Sequence, residues 1–407
     1  MFLFDDQTVC KPIDVREFNF YFIFHTTSTI HSRIRSTGNM GEWYESVQLQ
    51  PFVHQVSGHN GLFRFDDQTV CKPLDVREYN FYITIPHNLK QFTAEFRETI
   101  EGEVCEDSEG HVTILYHRPL LKSPMREDLT RQNQETFAGK EGQHSLQLLM
   151  NGKVEMNTQT DQAANAPDSV YDLRPETLNP WIPRCHKKML SGLRKTNQSS
   201  DLHSKFILLE NVAAKFCHPS ILDLKMGTRQ HGDHVSPEKK EKAMKMCQNT
   251  TSSSLGVRVG GMQVYQENSD KYTCVNKKYC QGLGVDGFIK TLHQFLHNGY
   301  ELRKDLLDPI IGKLQDLHRQ VLSLDTYRFY ASSLLILYDQ RSEEDGPKKD
   351  LRQDKVCSHS SLVDVRMIDF GHCTKSGFLD DATAHKGPDE GYLLGLTNLI
   401  KVFTDMK

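Results

Sequence analysis

Apolar and polar positions alternate in short runs through the first half of the chain, and recur at spacings of three and four through the last third. Pro51 to Val56, followed by the turn Gly58-His59, predicts a strand, a turn and a second strand leading into Val70-Cys71-Lys72-Pro73. Val112 to Tyr116 predicts a further strand, and Phe206-Ile207-Leu208-Leu209 a buried one ending at Glu210-Asn211-Val212. In Ile221 to Met226 the alternation sends Asp223 and Lys225 to one face of a strand. Leu302, Leu306, Ile310, Leu314, Leu317, Val321 and Leu324 predict an amphipathic helix, or two separated near Pro309. Phe329 to Tyr338 and Val363 to Phe370 predict a hairpin across the charged loop 341–355. Tyr392, Leu396, Leu399, Ile400 and Phe403 predict a last helix. Strands early and helices late make the expected class α+β, in two lobes.

Three stretches break this pattern. Residues 4–21 recur at 65–82 with 16 of 18 positions identical at an offset of 61, which marks a local duplication rather than a repeat architecture. Only the second copy follows the Pro51–His59 segment, so Lys72 is expected in the folded copy and its counterpart Lys11 is a decoy. Residues 25–46 are polar and aperiodic, as a linker would be. Residues 118–178 are rich in Gln, Asn, Glu, Thr and Pro, which suits a poorly ordered surface insertion, with order returning at Asn179-Pro180-Trp181. The expected division is a surplus extension over 1–46, an N-terminal lobe over 47–212 and a C-terminal catalytic lobe over 213–407.

Composition sets bounds. A chain of 407 residues with 37% hydrophobic content can bury a sizeable core, and 49 Lys+Arg against 53 Asp+Glu argue against a dedicated nucleic-acid binder. No apolar run reaches membrane-spanning length, and Asp5, Asp6 and Lys11 interrupt the first apolar stretch where a secretory signal needs continuity. The ten cysteines show no zinc spacing and read as thiols of a reducing compartment, cytoplasm and/or nucleus.

The densest chemistry lies at 219–234. Asp223 and Lys225 can be a plain ion pair or part of an anion site; Gly227, Thr228, Arg229, His231 and Gly232 at the strand end favour the second. Residues 238–246 read as a helix carrying Lys239, Lys240, Lys242 and Lys245, and from 225 to 245 six Lys/Arg face three acids. With Arg258 near in sequence, they predict a positive basin for a highly charged anion. In Val365-Arg366-Met367-Ile368-Asp369-Phe370-Gly371-His372 a carboxylate closes an apolar strand, a common way to hold Mg²⁺ beside nucleotide phosphates. Lys72, on a strand behind a glycine-containing turn, suits the α- and β-phosphates. No P-loop, dinucleotide-binding or nucleophile-elbow motif is present.

Pro219-x-x-x-Asp223-x-Lys225-x-Gly227 resembles the signature of the inositol polyphosphate kinase family, and its continuation to Asp233 is similar to the inositol hexakisphosphate kinase branch. Collinear matches run over about 47–407, among them Pro51-Phe52-Val53-His54-Gln55-Val56, Asn179-Pro180-Trp181, Gly261-Met262-Gln263-Val264-Tyr265-Gln266 and Tyr327-Arg328-Phe329-Tyr330. The resemblance implies a two-lobed, protein-kinase-like fold: an antiparallel sheet lobe and a larger α+β lobe, with ATP in the cleft. It implies transfer of the γ-phosphoryl of ATP, with Mg²⁺, to inositol hexakisphosphate. Lys72 would then hold ATP phosphates, Glu210 and Val212 the adenine and Asp223 the ribose side. Lys225 would sit between the γ-phosphate and the acceptor, Asp369 would hold the metal, and His372 and the lysine helix would meet the acceptor.

Departures from the branch pattern are His234 for Asp, Gly260 for Cys, Gln340 for Gly, and the run Asn276 to Leu283, where Lys277 is the cation left for a nucleotide contact. These leave two alternatives open: a non-catalytic scaffold that binds ATP or inositol phosphates, and a kinase of less phosphorylated inositols.

Overall fold

In the strand His203–Glu210, Phe206 and Leu208 point to one side of a sheet and Ile207 and Leu209 to the other, and all four are buried. Each set belongs to a different core. Phe206 and Leu208 join Phe63, Phe65, Ile100 and Ile114, while Ile207 and Leu209 join the large cluster that runs on through the rest of the chain. The computed structural model describes residues 33–36, 43–58, 61–106, 112–119, 171–173, 203–275, 277–339, 363–379, 381 and 383–407, with Ile182, Met189, Leu190 and Gly192.

The fold is α+β with two antiparallel sheets. The first has eight strands in the spatial order Arg33–Ser36, Trp43–Gln48, Val112–Pro119, Phe96–Glu106, His203–Glu210, Thr69–Pro73, Phe63–Asp66 and Gln50–Pro51. The second has six, ordered Val363–Ile368, Ser333–Asp339, Pro219–Met226, Val257–Gln266, Lys271–Val275 and Tyr171–Leu173. The helices Val285–Phe295, Leu307–Leu322 and Glu390–Asp405 contribute buried faces to the large core, from Phe288 through Leu314 to Leu396.

Several expectations need correction. Residues 52–58 form turns and irregular backbone, not a strand, and the hairpin carrying Lys72 is Phe63–Asp66 with Thr69–Pro73. The supposed linker 25–46 contributes Arg33–Ser36 and the start of Trp43–Gln48, which pair with each other; an edge strand tolerates charge and needs no alternating pattern. Pro309 does not divide its helix, because it falls in the first turn of Leu307–Leu322, where a missing N–H costs nothing. Residues 329–332 are a turn with irregular backbone on either side, and the strand begins at Ser333. Cys217 is disulfide-bonded, against the all-thiol expectation, while Cys71, Cys247, Cys274, Cys280 and Cys373 keep free thiols. The first copy of the duplicated segment, including Lys11, lies outside the described residues, as do Gln340, Asn276 and most of 118–178.

The helix Val76–Ile83 is an element that the apolar pattern does not announce. Val76, Tyr79, Phe81, Tyr82 and Ile83 are strand formers by propensity. Two things override it: the Asp75 side chain caps the helix by accepting from Glu78 N–H at 2.9 Å, and Phe81 stacks on Phe370 with ring centroids 4.7 Å apart. Arg77 adds a fork to Asp381, with contacts of 2.9 and 2.6 Å. The helix is thereby locked against residues that follow the last strand of the second sheet.

Candidate active site

A cavity of about 700 Å³ is lined from both sheets, and ion pairs cross it. Lys72 Nζ donates to Glu78 Oε1 at 2.8 Å and to Asp369 Oδ1 at 2.9 Å. Lys225 Nζ, from the second sheet, donates to Asp369 Oδ2 at 3.0 Å. Asp369 therefore bridges two ammonium groups, one from each sheet. It follows the strand Val363–Ile368 with φ at 65°, a left-handed turn that Asp tolerates better than most residues. The next residue, Phe370, donates its N–H to Glu78 at 3.3 Å, so the capped helix and the Asp369 turn hold each other.

Burial opposes every charge in this chain, and pairing decides the outcome. Lys72 is pushed above the ordinary lysine range because Asp369 and Glu78 outweigh its desolvation. Lys225 rises for the same reason, through Asp223 and Asp369. Asp369 is driven well below the usual carboxylate range, its burial overcome by Lys72 and Lys225. Glu78 is the exception, since burial raises it despite Lys72. At neutral pH Asp369 is thus a carboxylate and Lys72 and Lys225 are ammonium groups, none of which titrates nearby.

The odd-numbered residues Ile221, Asp223 and Lys225 all line the cavity, as the alternation requires. The plain Asp223–Lys225 ion pair does not form: Lys225 takes Asp369, and Asp223 Oδ2 accepts from the Ser57 hydroxyl. Val212, Lys277, Arg258 and His372 line the same cavity, as does Glu210. The Glu210 carboxylate accepts from Arg366 Nη1 at 3.3 Å and Glu95 N–H at 3.2 Å, whereas the Val212 N–H donates to no acceptor among the described residues. Arg258 is 6% exposed, has no ion-pair partner among the described residues, and its Nε lacks any acceptor. Burial pulls its guanidinium below the ordinary range. Asp223 acts on it electrostatically without forming an ion pair, and a buried cation so placed at a cavity favours an anionic occupant.

Glu78 is absent from the sequence-predicted set. Its local signal is Asp75-x-x-Glu78, an N-cap acid followed three residues later by Glu. His234 was singled out only as a departure; its Nε2 lies 3.3 Å from His372 Nδ1. Both imidazoles are held below the ordinary histidine range, His372 by burial and by His234, His234 by burial and by Arg77.

The four lysines of 238–246 all fall on the helix Pro237–Gln248 but are not equivalent. Ala243 and Met246 line the cavity. At 100° per residue, Lys239 falls within about 60° of both, whereas Lys242 lies about 70° from the centre of that face, Lys240 about 90° and Lys245 about 130°. Lys239 also acts electrostatically on His372. The expected order of KM increase for an anionic acceptor on alanine substitution is therefore Lys239 above Lys242 above Lys245, with about three- to tenfold for Lys239. Equal effects at Lys239 and Lys245 in steady-state kinetics would overturn this facing of the helix.

Residues 206–404 match the family model described as "Inositol polyphosphate kinase". The chain is 41% identical to inositol hexakisphosphate kinase 1 of Rattus norvegicus over 407 aligned residues, covering 89% of this chain and 94% of the relative. It is 36% identical to inositol hexakisphosphate kinase 3 of Homo sapiens, covering 92% and 99%. Among solved structures, it is similar to the inositol phosphate multikinase of S. cerevisiae in complex with ADP and Mn²⁺, with a TM-score of 0.42 and 26% identity over 52% of this chain and 85% of that one. The chain belongs to the inositol polyphosphate kinase family, in its inositol hexakisphosphate kinase branch.

Proposed function

We propose that the protein transfers the γ-phosphoryl group of ATP to inositol hexakisphosphate, forming a diphosphoinositol pentakisphosphate. The observation that carries this reading is the Lys72–Asp369–Lys225 bridge across the cavity. The first sheet with its capped helix acts as a nucleotide lobe, the second as a catalytic and acceptor lobe, and ATP lies between them. Phosphoryl transfer is mostly positioning and charge neutralisation, and the site supplies both. Lys72, held by Glu78, neutralises the α- and β-phosphates. Lys225 spans the γ-phosphate and the acceptor oxygen. The adenine meets Val212 N–H and the backbone at Glu210, since the Glu210 carboxylate is engaged elsewhere, and Lys277 faces the nucleotide.

Asp369 fits a divalent cation: it is a hard oxygen donor, fully ionised, and its side chain is 32% exposed toward the cavity. Among the described residues no group of three His, Cys, Asp or Glu gathers to cage a metal ion. Asp369 would hold Mg²⁺ when the ion is bound, and the ion would supply neutralisation of charge on the transferred group. The acceptor oxygen belongs to a phosphate that is already ionised, so no strong general base is needed. His372, Arg258, Lys239, Lys240, Lys242 and Lys245 surround the acceptor end and offset its charge. The intact Lys72–Glu78–Asp369–Lys225 chain favours turnover over the binding-only alternative.

Incubation with ATP and inositol hexakisphosphate is expected to give a product with a new P–O–P linkage by ³¹P NMR. Consumption of an inositol trisphosphate alone, or binding without turnover, would sink the reading.

A further inference from the structure

The segment from Phe52 to Gly58 belongs to the nucleotide side of the cavity, yet it is pinned to the second sheet at three places. His54 Nδ1 lies 2.9 Å from Gln263 Nε2. The Val56 carbonyl sits so close to Gly261 that a Cβ there would lie 2.0 Å from it. Ser57 then gives its hydroxyl to Asp223 Oδ2. Gln55 braces the segment internally, donating to Ser57 O and accepting from Leu62 N–H, each at 2.9 Å. Only a glycine at 261 allows this approach.

Asp223 is held from the other side as well. The register of Pro219–Met226 against Val257–Gln266 shifts between Asp223 and Leu224, leaving Gly260 as an extra residue in a bulge. A Cβ at Gly260 would fall 2.5 Å from Asp223 Oδ1 and 3.2 Å from its Cγ. Asp223 is 2% exposed, and with Ser57 on Oδ2 its Oδ1 has no hydrogen-bond partner. A buried carboxylate oxygen without a donor is costly unless a ligand completes it. All three residues line the cavity, with Asp223 two positions along the strand from Lys225, a rise of about 6–7 Å.

We infer that Ser57 and Gly260 are positioning residues that fix the Asp223 carboxylate with one oxygen committed to the protein and the other reserved for a hydroxyl donor, the ribose hydroxyl of the nucleotide. They thereby make the site discriminate ribonucleotides from deoxynucleotides. This rests on the proposed placement of Asp223 at the ribose. A deoxynucleotide leaves Oδ1 unpaired in the bound state, whereas ATP satisfies it. Replacing Ser57 frees Oδ2 and the rotamer; adding a side chain at 260 pushes Oδ1 away.

Calorimetric Kd values for ATP, 2′-deoxy-ATP and 3′-deoxy-ATP, without acceptor, test this on the full chain and its Ser57→Ala, Ser57→Thr and Gly260→Ala variants. The wild type is expected to prefer ATP over one deoxy analogue by about tenfold or more. In Ser57→Ala and Gly260→Ala the preference drops to about threefold or less, through weaker ATP binding with the analogue unchanged, and Ser57→Thr restores it. Thermal melts confirm that the variants fold. No preference in the wild type overturns the placement of Asp223 itself. A full preference surviving in both variants overturns the positioning role alone, as does equal weakening of ATP and analogue.

Discussion

Alanine at Lys225 is expected to lower kcat by on the order of 10²-fold or more, with the KM for ATP changed by less than about threefold. The ammonium is 16% exposed, touches Asp369 at 3.0 Å and is raised above the ordinary lysine range, so it is charged at any working pH. Its charge gains most when negative charge spreads over the transferred phosphoryl group, and that gain appears in kcat. Arginine is not expected to rescue it, because a planar fork does not fit where a compact ammonium sits between a strand and Asp369. Near-wild-type turnover in Lys225→Ala, measured by product formation at saturating ATP, would remove Lys225 from the chemistry.

Lys225 was legible in the sequence because its signal is local. A strand with period two puts Ile221, Asp223 and Lys225 on one face, and the glycine at 227, with φ at 89°, ends it where polar residues gather. Asp369 was legible for a similar reason, as a carboxylate closing an apolar strand. What local pattern could not record is the pairing itself: Lys72 meets Asp369 across 297 positions, and Ser57 meets Asp223 across 166.

The helix Val76–Ile83 hid for a different reason. Its composition favours a strand, and the balance is tipped by tertiary packing of Phe81 and Tyr82 on Phe370, a residue from the far end of the chain. Glu78 was lost with it. The strand Val257–Gln266 was obscured by its own function, since Gly260 and Gly261 interrupt the apolar run to admit Asp223 and the Val56 carbonyl. The lysine helix was legible but its facing was not: charge spacing shows which lysines neighbour one another, whereas the face turned to the cavity is marked by the uncharged Ala243 and Met246.

The largest loss is expected from Asp369→Asn, which keeps shape and removes charge: turnover should fall by on the order of 10³-fold or more. Two ammonium groups, at 2.9 and 3.0 Å, lose their shared counter-charge, and Lys72 is left with Glu78 alone. Because Asp369 is depressed in the folded state, its pairing stabilises the fold fully above the ordinary aspartate value of 3.8, and that contribution is lost as pH falls below it. The Asn variant should therefore be less stable than wild type at pH 7, by about 2 kcal/mol after allowing for partial exposure, and the gap should narrow as pH falls below 3.8 toward the folded value. Denaturant unfolding at pH 7 and near pH 3 measures the gap, and a gap that widens in acid would contradict the ion-pair assignment. Chemistry is separated from stability by ATP binding at pH 7. Retained ATP affinity with lost turnover places Asp369 at the transferred phosphoryl group, whereas turnover within about tenfold of wild type would exclude it as the metal-holding carboxylate.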